Sequence, residues 1–355
     1  MSGGIETELA RLALAARRRR EATIRALIGI VIVLGALAAF SIVTRSVDVP
    51  REWRKAWPNT DFSRHVVPYS EIVSGGPARD GIPPIDAPAF APVDRLPDPP
   101  PDNMPLMGIE IGGDARAYPL GILIWHEIVN DTVGGVPVTI TYCPLCNSGV
   151  AFERRVRGSV TSFGTTGKVR NADLIMYDRE TESWWQQYEG RAIVGGLAGE
   201  ELRKLPIRLE SFREFRERHP SGLVLLPPAT SDRAYGRNPY VGYDSAAMPF
   251  LYDGEYDGPG SAMMRVVAVE GRNEAWSLDF LREVGTVESG DLVIRWRPGQ
   301  VSALDAAEIA ASRDVGSVTV QRRLPGGGFE DVVYHVPFAF AFRAFNPDAP
   351  IRHNK

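Results

Sequence analysis

The chain has 355 residues, and its 40 Lys and Arg residues against 44 Asp and Glu residues give a formal net charge of −4. A hydrophobic content of 44% and a charged content of 24% are those of a folded globular protein, which excludes wholesale disorder. Two cysteines are too few for a disulfide-dense miniprotein or for a four-cysteine zinc or iron–sulfur site. The lack of a basic excess argues against nucleic-acid binding.

The N-terminal residues differ from the rest of the chain in charge and hydropathy. Six arginines and three glutamates give residues 1–43 a charge of +3, which leaves −7 for the remainder. Four consecutive arginines at 17–20 precede an uncharged run of 18 residues at 26–43, close to the roughly 20 apolar residues that span a bilayer as a helix. The pattern predicts a cytoplasmic basic segment at 1–25, a transmembrane helix at 26–43 that contacts the lipid bilayer, and a main domain outside the cytoplasm.

Two other interpretations of the apolar run exist. Ala36-Leu37-Ala38 resembles a signal-peptidase site, so the run could be a cleaved signal peptide. A long polar lead before the run favours an uncleaved anchor. A buried core helix would not need the neighbouring arginines.

The next segment, 44–105, is predicted to be a proline-rich extracytoplasmic tether. Nine of the residues from 83 to 105 are proline, which fixes φ and lacks an N–H, so helix and central strand are excluded there. An extended segment of this kind would hold the domain off the membrane. Ile82, Ile85 and Phe90 are apolar enough that it could also wrap the domain surface.

From residue 106 to 348 the pattern predicts a mainly β (α+β) domain followed by a tail at 349–355. Short apolar runs alternate with Gly- and Asp-containing turns, as at 109–120 and 128–142, and 35 glycines with 28 prolines agree with many turns. One helix stands out: Ser211 and Glu214 form a capping box, and the helical pattern stops before Pro220.

A faint internal repeat relates residues 109–123 to residues 267–281, with matched positions 158 residues apart. The repeat predicts two related β-rich halves, 106–260 and 261–348. Any two hairpins that are each followed by a short helix would give a similar match, so chance similarity is the alternative.

Both cysteines lie in the motif Cys143-Pro144-Leu145-Cys146, whose spacing lets two sulfurs meet within one turn. A redox disulfide, half of a metal site and a structural disulfide all use this spacing. Strands are predicted on both sides, so the motif is a turn between strands, as in metal knuckles. A functional site requires that both cysteines are accessible and share a cleft with His126.

A complete metal site needs further ligands, and histidines are the natural supplement. His126 lies 17 residues before Cys143, and His335 lies in a later predicted strand. The predicted ligand set is therefore Cys143, Cys146, His126 and His335, for a transition metal such as copper, zinc or iron. Cys143, Cys146 and His126 are also the predicted catalytic residues.

A second cluster at 163–173 contains glycines together with Lys168 and Arg170. It predicts an anion or cofactor site made of backbone amides and two cations, with a glycine-rich turn between strands as the alternative. It is not a P-loop. Trp184 and Trp185 alternate across a strand, which predicts that one of them faces out, where it could form a pocket wall.

Several motifs resemble the uncharacterised bacterial and archaeal family called domain of unknown function 3179. They are GGPARDGIP at 75–83, ARAYPL at 115–120, HEIVND at 126–131, TYCPLCNS at 141–148, DLIMYDR at 173–179, YGRNPY at 235–240 and HVPFAF at 335–340. One departure is FGTTG at 163–167, where members of the family more often have a serine in the fourth position. The resemblance covers roughly residues 68–348 and implies an extracytoplasmic or membrane-tethered protein, but no established activity.

The residues favour a membrane-anchored extracytoplasmic protein whose cysteine site serves redox chemistry or electron transfer with a redox partner. The alternative is a non-enzymatic binding module with a structural Cys143–Cys146 disulfide, although so small a loop would gain little from closure. A third hypothesis, a hydrolase or lyase that uses His126, Glu127 and Asp131, lacks a Ser nucleophile elbow. The sequence does not determine the oligomeric state.

Overall fold

The computed structural model describes residues 49–354. The predicted basic segment at 1–25 and the predicted transmembrane helix at 26–43 lie outside the described residues. Between residues 49 and 354, no helix is long and apolar enough to cross a membrane. Residues 51–354 form one compact unit.

The α-helices of residues 49–354 are short, with six or seven residues each: α1 (Arg51–Ala56), α2 (Leu120–His126), α3 (Phe212–Arg218), α4 (Leu278–Val284) and α5 (Ala339–Phe345). The predicted capping box is present at the start of α3. The Ser211 hydroxyl accepts a hydrogen bond from the Glu214 N–H at 3.3 Å, and the Glu214 carboxylate accepts one from the Ser211 N–H at 3.1 Å. The predicted helix near 211–218 is therefore confirmed.

Strands make up most of the regular structure, which confirms the mainly β fold class. The first strands are β1 (Val73–Ser74), β2 (Phe90–Pro92), β3 (Pro105–Ile111), β4 (Asp114–Pro119), β5 (Ile128–Val133), β6 (Val136–Cys143), β7 (Ser148–Glu153), β8 (Arg155–Val156), β9 (Ser159–Val160), β10 (Phe163–Arg170), β11 (Asp173–Asp178), β12 (Trp184–Gln186) and β13 (Arg191–Val194).

The remaining strands follow the same pattern of short segments separated by turns. They are β14 (Lys204–Leu205), β15 (Arg208–Ser211), β16 (Leu223–Leu225), β17 (Val266–Val269), β18 (Ala275–Ser277), β19 (Thr286–Ser289), β20 (Leu292–Arg297), β21 (Ser317–Arg323), β22 (Phe329–Asp331), β23 (Tyr334–His335) and β24 (Ile351–Arg352).

Within residues 49–354 these strands form five sheets of four or five strands and one two-stranded ribbon, in a β-propeller-like arrangement. The strand orders are β1-β10-β11-β12-β13, β14-β7-β6-β5, β15-β3-β4-β16-β2, β23-β17-β18-β24 and β19-β20-β21-β22, with β8-β9 as the ribbon. Most neighbouring strands are antiparallel, as expected for sheets built from hairpins.

Two of the sheets share one pairing pattern. In each, a hairpin (β3-β4 or β17-β18) is followed by a seven-residue helix (α2 or α4), and the first hairpin strand pairs antiparallel with β15 or β23. The second hairpin strand pairs parallel with β16 or β24. The repeat aligns Leu120 with Leu278, and these are the first residues of α2 and α4. Common ancestry of the halves stays a prediction.

Two segment assignments from the sequence need correction. Ile351 is buried in β24, so the predicted tail at 349–355 contributes a strand to the domain. The described part of the predicted tether does not stand away from the domain. Its strands β1 and β2 pair with β10 and β16, as the wrapping alternative predicts. The apolar residues of the segment are buried against the domain: Trp53, Trp57, Phe62, Ile72, Ile85 and Val93.

Neither Trp184 nor Trp185 is exposed, contrary to the prediction that one faces out. Trp184 packs against Trp53, Trp57 and Phe62 with ring centroids 5.2 to 5.4 Å apart. Trp185 points to the other face of β12, where its indole N–H donates to Asp178 at 3.0 Å. The sheet face that the strand alone would leave open is therefore covered by the segment that precedes the β-rich domain.

Candidate functional site

The cysteine motif forms the tight connection between β6 and β7, as the sequence predicts. Cys143 pairs with Ser148 at the end of the ladder, so the four residues between them make the turn. Asn147 has a left-handed backbone with φ of 55°, a conformation that asparagine tolerates better than most residues. Its side chain amide donates to the carbonyl of Val336 at 2.7 Å and its amide oxygen accepts from the Tyr142 hydroxyl at 3.0 Å, which fixes the turn.

Both cysteines are free thiols, but neither is accessible from the surface. Cys143 is 1% exposed and Cys146 is 0% exposed, so the expectation of an open cleft is wrong. Cys143 instead lines a small cavity of about 70 Å³, whose other walls include the exposed Pro77.

A third side chain, Asp173, meets the two sulfurs. The ligand atoms of Cys143, Cys146 and Asp173 all lie within 4.8 Å of one another, and the three residues are buried. The Cys146 thiol donates to Asp173 Oδ1 at 3.0 Å. Asp173 Oδ2 accepts from Gln186 Nε2 at 2.6 Å and from the Tyr188 backbone N–H at 2.9 Å. The carboxylate is therefore held in place on one oxygen and aimed at the sulfurs with the other.

A hairpin turn delivers Asp173 to this position. Asn171 and Ala172, between β10 and β11, both have φ of 55°, as required at the two central positions of a type I′ turn. Asp173 is the first residue after the turn, and the Ala172 carbonyl lies 3.6 Å from the Cys143 sulfur. The end of one hairpin thus packs against the cysteine turn of another.

Burial controls the protonation of this cluster. Burial, together with the neighbouring Cys143 and Asp173, raises the pKa of the Cys146 thiol well above its ordinary value. Burial also raises the pKa of Asp173 to about 6, although its hydrogen bonds from Cys146, Gln186 and Tyr188 act in the opposite direction. A buried thiol of this kind is chemically inert unless a cation replaces its proton.

The cavity beside Cys143 carries a second buried carboxyl group, that of Glu127. Glu127 follows α2 with a left-handed φ of 58°, and no described residue makes a hydrogen bond to its carboxyl group. Burial and the nearby charge of Asp173 raise the pKa of Glu127 to about 8, so it is protonated at neutral pH. Other cavity-lining side chains include Leu145, Lys168, Leu174 and Tyr240.

The structure does not bring His126 to the cysteines. Its Nδ1 lies 2.7 Å from the Pro83 carbonyl and its Nε2 lies 2.6 Å from the Tyr235 hydroxyl. A carbonyl only accepts, so Nδ1 carries the proton and Nε2 accepts from the tyrosine. Both nitrogens are occupied, and nearness in sequence to Cys143 was a misleading signal.

His335 is also absent from the metal-ligand cluster found among the described residues. Its Nδ1 lies 3.0 Å from the Ser148 hydroxyl, and its ring lies 4.4 Å from that of Tyr188. Burial and the charge of Lys204 lower the pKa of His335 to about 3, so the ring is neutral.

Lys168 and Arg170 belong to β10 and not to a glycine-rich anion-binding turn. The Lys168 ammonium lies 4.6 Å from the centre of the Trp53 ring. Arg170 Nε donates to the Glu71 carboxylate at 2.7 Å. Asp131, from the hydrolase hypothesis, accepts hydrogen bonds from Arg116 and Tyr118, which places it in a structural network.

Sequence reasoning missed Asp173 and left Glu127 outside the site. Asp173 followed an apparent turn, where aspartate is common for local reasons, so its residue type gave no functional signal. Only the packing of two hairpins reveals it as a neighbour of the sulfurs.

The profile of the family described as "Protein of unknown function (DUF3179)" matches residues 79–349, so the chain belongs to this family. This confirms the resemblance inferred from the motifs. No curated protein and no solved structure gives a match. Family membership brings no activity with it.

Proposed function

We propose that Cys143, Cys146 and Asp173 bind one transition-metal ion in a buried centre. The observation that carries the proposal is the convergence of two sulfurs and a carboxylate oxygen within 4.8 Å. The hydrogen bonds from Gln186 and Tyr188 to the second carboxylate oxygen are the kind of outer-shell support that orients a ligating aspartate.

Charge favours a divalent ion. Two thiolates and one carboxylate carry three negative charges, so a divalent ion leaves one uncompensated charge and a monovalent ion leaves two. Buried net charge is costly, which disfavours copper(I) relative to zinc or iron(II). Thiolate ligands in turn favour these metals over magnesium or calcium.

The three protein ligands leave a coordination position for a further group. Structural zinc sites are usually closed by four protein ligands, whereas catalytic and exchange sites keep one position open. The cavity at Cys143 offers space for such a group, and the neutral Glu127 carboxyl could donate a proton to it. The predicted role in redox chemistry or electron transfer requires iron or copper, since zinc does not change valence.

Metal content tests the proposal directly. The full-length chain, purified in detergent under reducing and anaerobic conditions, is expected to carry about one metal ion per chain by elemental analysis. Cys146→Ser and Asp173→Asn each remove a ligand, so metal affinity should fall by more than the ~100-fold typical of losing an outer-shell partner.

The matched control is His126→Gln, which removes a predicted ligand that the structure places elsewhere and should leave the metal content unchanged. Circular dichroism verifies that each variant is folded. A parent protein that is free of metal and holds a Cys143–Cys146 disulfide by mass spectrometry would contradict the proposal and support the structural-disulfide alternative. Equal metal content in the parent and in Asp173→Asn would exclude Asp173 as a ligand.

We also propose that residues 26–43 anchor the chain in a membrane with the β-rich domain outside the cytoplasm. The support is the +3 charge before the apolar run. A reporter enzyme that folds only outside the cytoplasm should be active when fused after Lys355. Replacing the four arginines at 17–20 with glutamine should reduce this activity, and activity of a cytoplasmic reporter alone would show the opposite orientation.

A further inference from the structure

A second, larger cavity lies apart from the cysteine centre. Its volume is about 550 Å³, within the range of small-molecule sites, and its walls come from the segments around β17, α4 and the turn before β21. Three arginines reach it: Arg265, Arg282 and Arg313.

Arg265 is the unusual member, because it is a buried charged residue that is only 8% exposed. Its Nη2 donates to Asp244 Oδ2 at 3.0 Å and to the Ser302 hydroxyl at 2.7 Å. Its Nε and Nη1 have no hydrogen-bond partner among the described residues, although a guanidinium carries five N–H donors. Both nitrogens keep some solvent-accessible surface, because neither is one of the fully enclosed polar atoms that lack a partner in residues 49–354. Arg265 lines this cavity and a second space of only about 10 Å³, so the larger cavity is the one of the two with enough volume for a ligand at these donors.

Asp244, Asp279 and Asp314 share the cavity wall with the three arginines, so the formal charges of the lining balance, and the individual contacts decide which donors stay without a partner. Asp244 Oδ2 is shared by Arg265 at 3.0 Å and Arg313 Nη2 at 2.9 Å, so one carboxylate oxygen serves two guanidinium groups. Asp314, also on the wall, accepts from the backbone N–H groups of Gly299 and Gly316 at 2.8 Å each. Arg282 makes a loose ion pair of 3.5 Å with the exposed Asp279, and its guanidinium lies 5.7 Å from the centre of the Trp296 ring.

We propose that this cavity binds a small organic oxyanion, a carboxylate or a phosphate ester, whose charged oxygens accept hydrogen bonds from Arg265 and Arg282. Nη2 of Arg265 is already bonded to Asp244 and Ser302, so this residue offers single donors from Nε and Nη1. The Arg282 guanidinium can present two parallel N–H groups, a geometry that matches carboxylate and phosphate oxygens. The side chains of Met263, Met264 and Leu278 line the same space and provide an apolar surface for the organic part of the ligand.

The probes are succinate and inorganic phosphate, each titrated into the full-length chain by calorimetry against sodium chloride of equal ionic strength. Saturable binding of at least one probe is expected, and the stronger probe identifies the carboxylate or the phosphate class. Arg282→Ala removes an exposed donor at the rim and should weaken binding by about tenfold, the size of one charge-assisted hydrogen bond. Arg265→Lys keeps the charge but loses the Nε and Nη1 donors, and should weaken binding at least as much.

Arg322→Ala is the matched control, because Arg322 is a half-exposed arginine that pairs with Asp291 and Glu330 away from the cavity wall. It should bind as the parent does. Cys146→Ser should also bind normally, so failure of the metal proposal and failure of this one are distinguishable. The inference is overturned if neither probe binds saturably, or if Arg282→Ala binds as tightly as the parent. The Arg282→Ala comparison remains valid even if Arg265→Lys does not fold.

Discussion

Replacing Asp244 with alanine is expected to lower the free energy of unfolding by about 3 to 5 kcal/mol, because the change leaves a buried guanidinium without its counter-charge. Arg265 is buried and Asp244 is its only salt-bridge partner among residues 49–354. The same carboxylate accepts from Ser302, which it holds next to Arg265. Urea unfolding monitored by tryptophan fluorescence measures the loss.

The matched control is Glu330→Ala, which removes a carboxylate from a pair with Arg322 in which both side chains are about half exposed. Exposed pairs of this kind contribute less than about 1 kcal/mol, since water and salt screen them. If the two variants lose similar free energy of unfolding, the buried Asp244–Arg265 pair contributes no more to stability than an exposed pair does.

Acid should weaken the same interaction. Arg265, Ser302 and Arg313 lower the pKa of Asp244 below its ordinary value, although burial alone would raise it. A carboxyl group with a lowered pKa contributes stability above its unfolded pKa of about 3.9, and this contribution is lost as the pH falls through the folded value. The difference between the parent and Asp244→Ala should therefore shrink at low pH.

Local sequence signals predicted the parts of the fold that depend on local chemistry. The capping box at Ser211 and Glu214 predicts α3 because it satisfies backbone groups within one turn of chain. The alternation at 109–120 predicts the β3-β4 hairpin because side chain direction alternates along a strand. Both signals act over a few residues, so the rest of the chain does not disturb them.

Features that depend on distant contacts were not predictable in the same way. One of Trp184 and Trp185 was expected to face out, but Trp53, which lies 131 positions before Trp184 in the chain, covers Trp184. The prolines of the 83–105 segment indicate an extended backbone and do not indicate what that backbone lies against. The composition of the segment therefore predicts its extended backbone, whereas its packing against the domain depends on tertiary contacts.

The candidate site shows the same division. The cysteine spacing predicted that two sulfurs meet in a turn between strands, and Cys143 and Cys146 do so. The third side chain of the cluster could not be found by nearness in sequence, because Asp173 reaches the sulfurs through a different hairpin. His126 was favoured by its position 17 residues before Cys143, but the Pro83 carbonyl and Tyr235 occupy its two nitrogens.

Gly167 contacts the segment before the β-rich domain, at Gly75 and Pro77, beside the cavity at Cys143. It lies in the irregular part of the β10-β11 ladder between Thr165 and Lys168, with φ of 69°, a region that favours glycine. Its carbonyl accepts from the Gly75 N–H at 2.9 Å, and a Cβ at this position would collide with the Pro77 carbonyl oxygen. Gly75, Pro77 and Gly167 all line the cavity, so the contact closes one of its walls.

Gly167→Ala is therefore expected to lower the free energy of unfolding by about 3 kcal/mol, through left-handed backbone strain together with overpacking against rigid backbone. Gly328→Ala is the matched control, because Gly328 has a similar φ of 84° but a Cβ there would have no neighbour within 4 Å. It should lose only about 1 to 2 kcal/mol, from the backbone conformation alone. Urea unfolding of both variants separates the two contributions. Equal losses would show that the Pro77 contact yields easily, and that the segment before the β-rich domain is not held at this wall of the cavity.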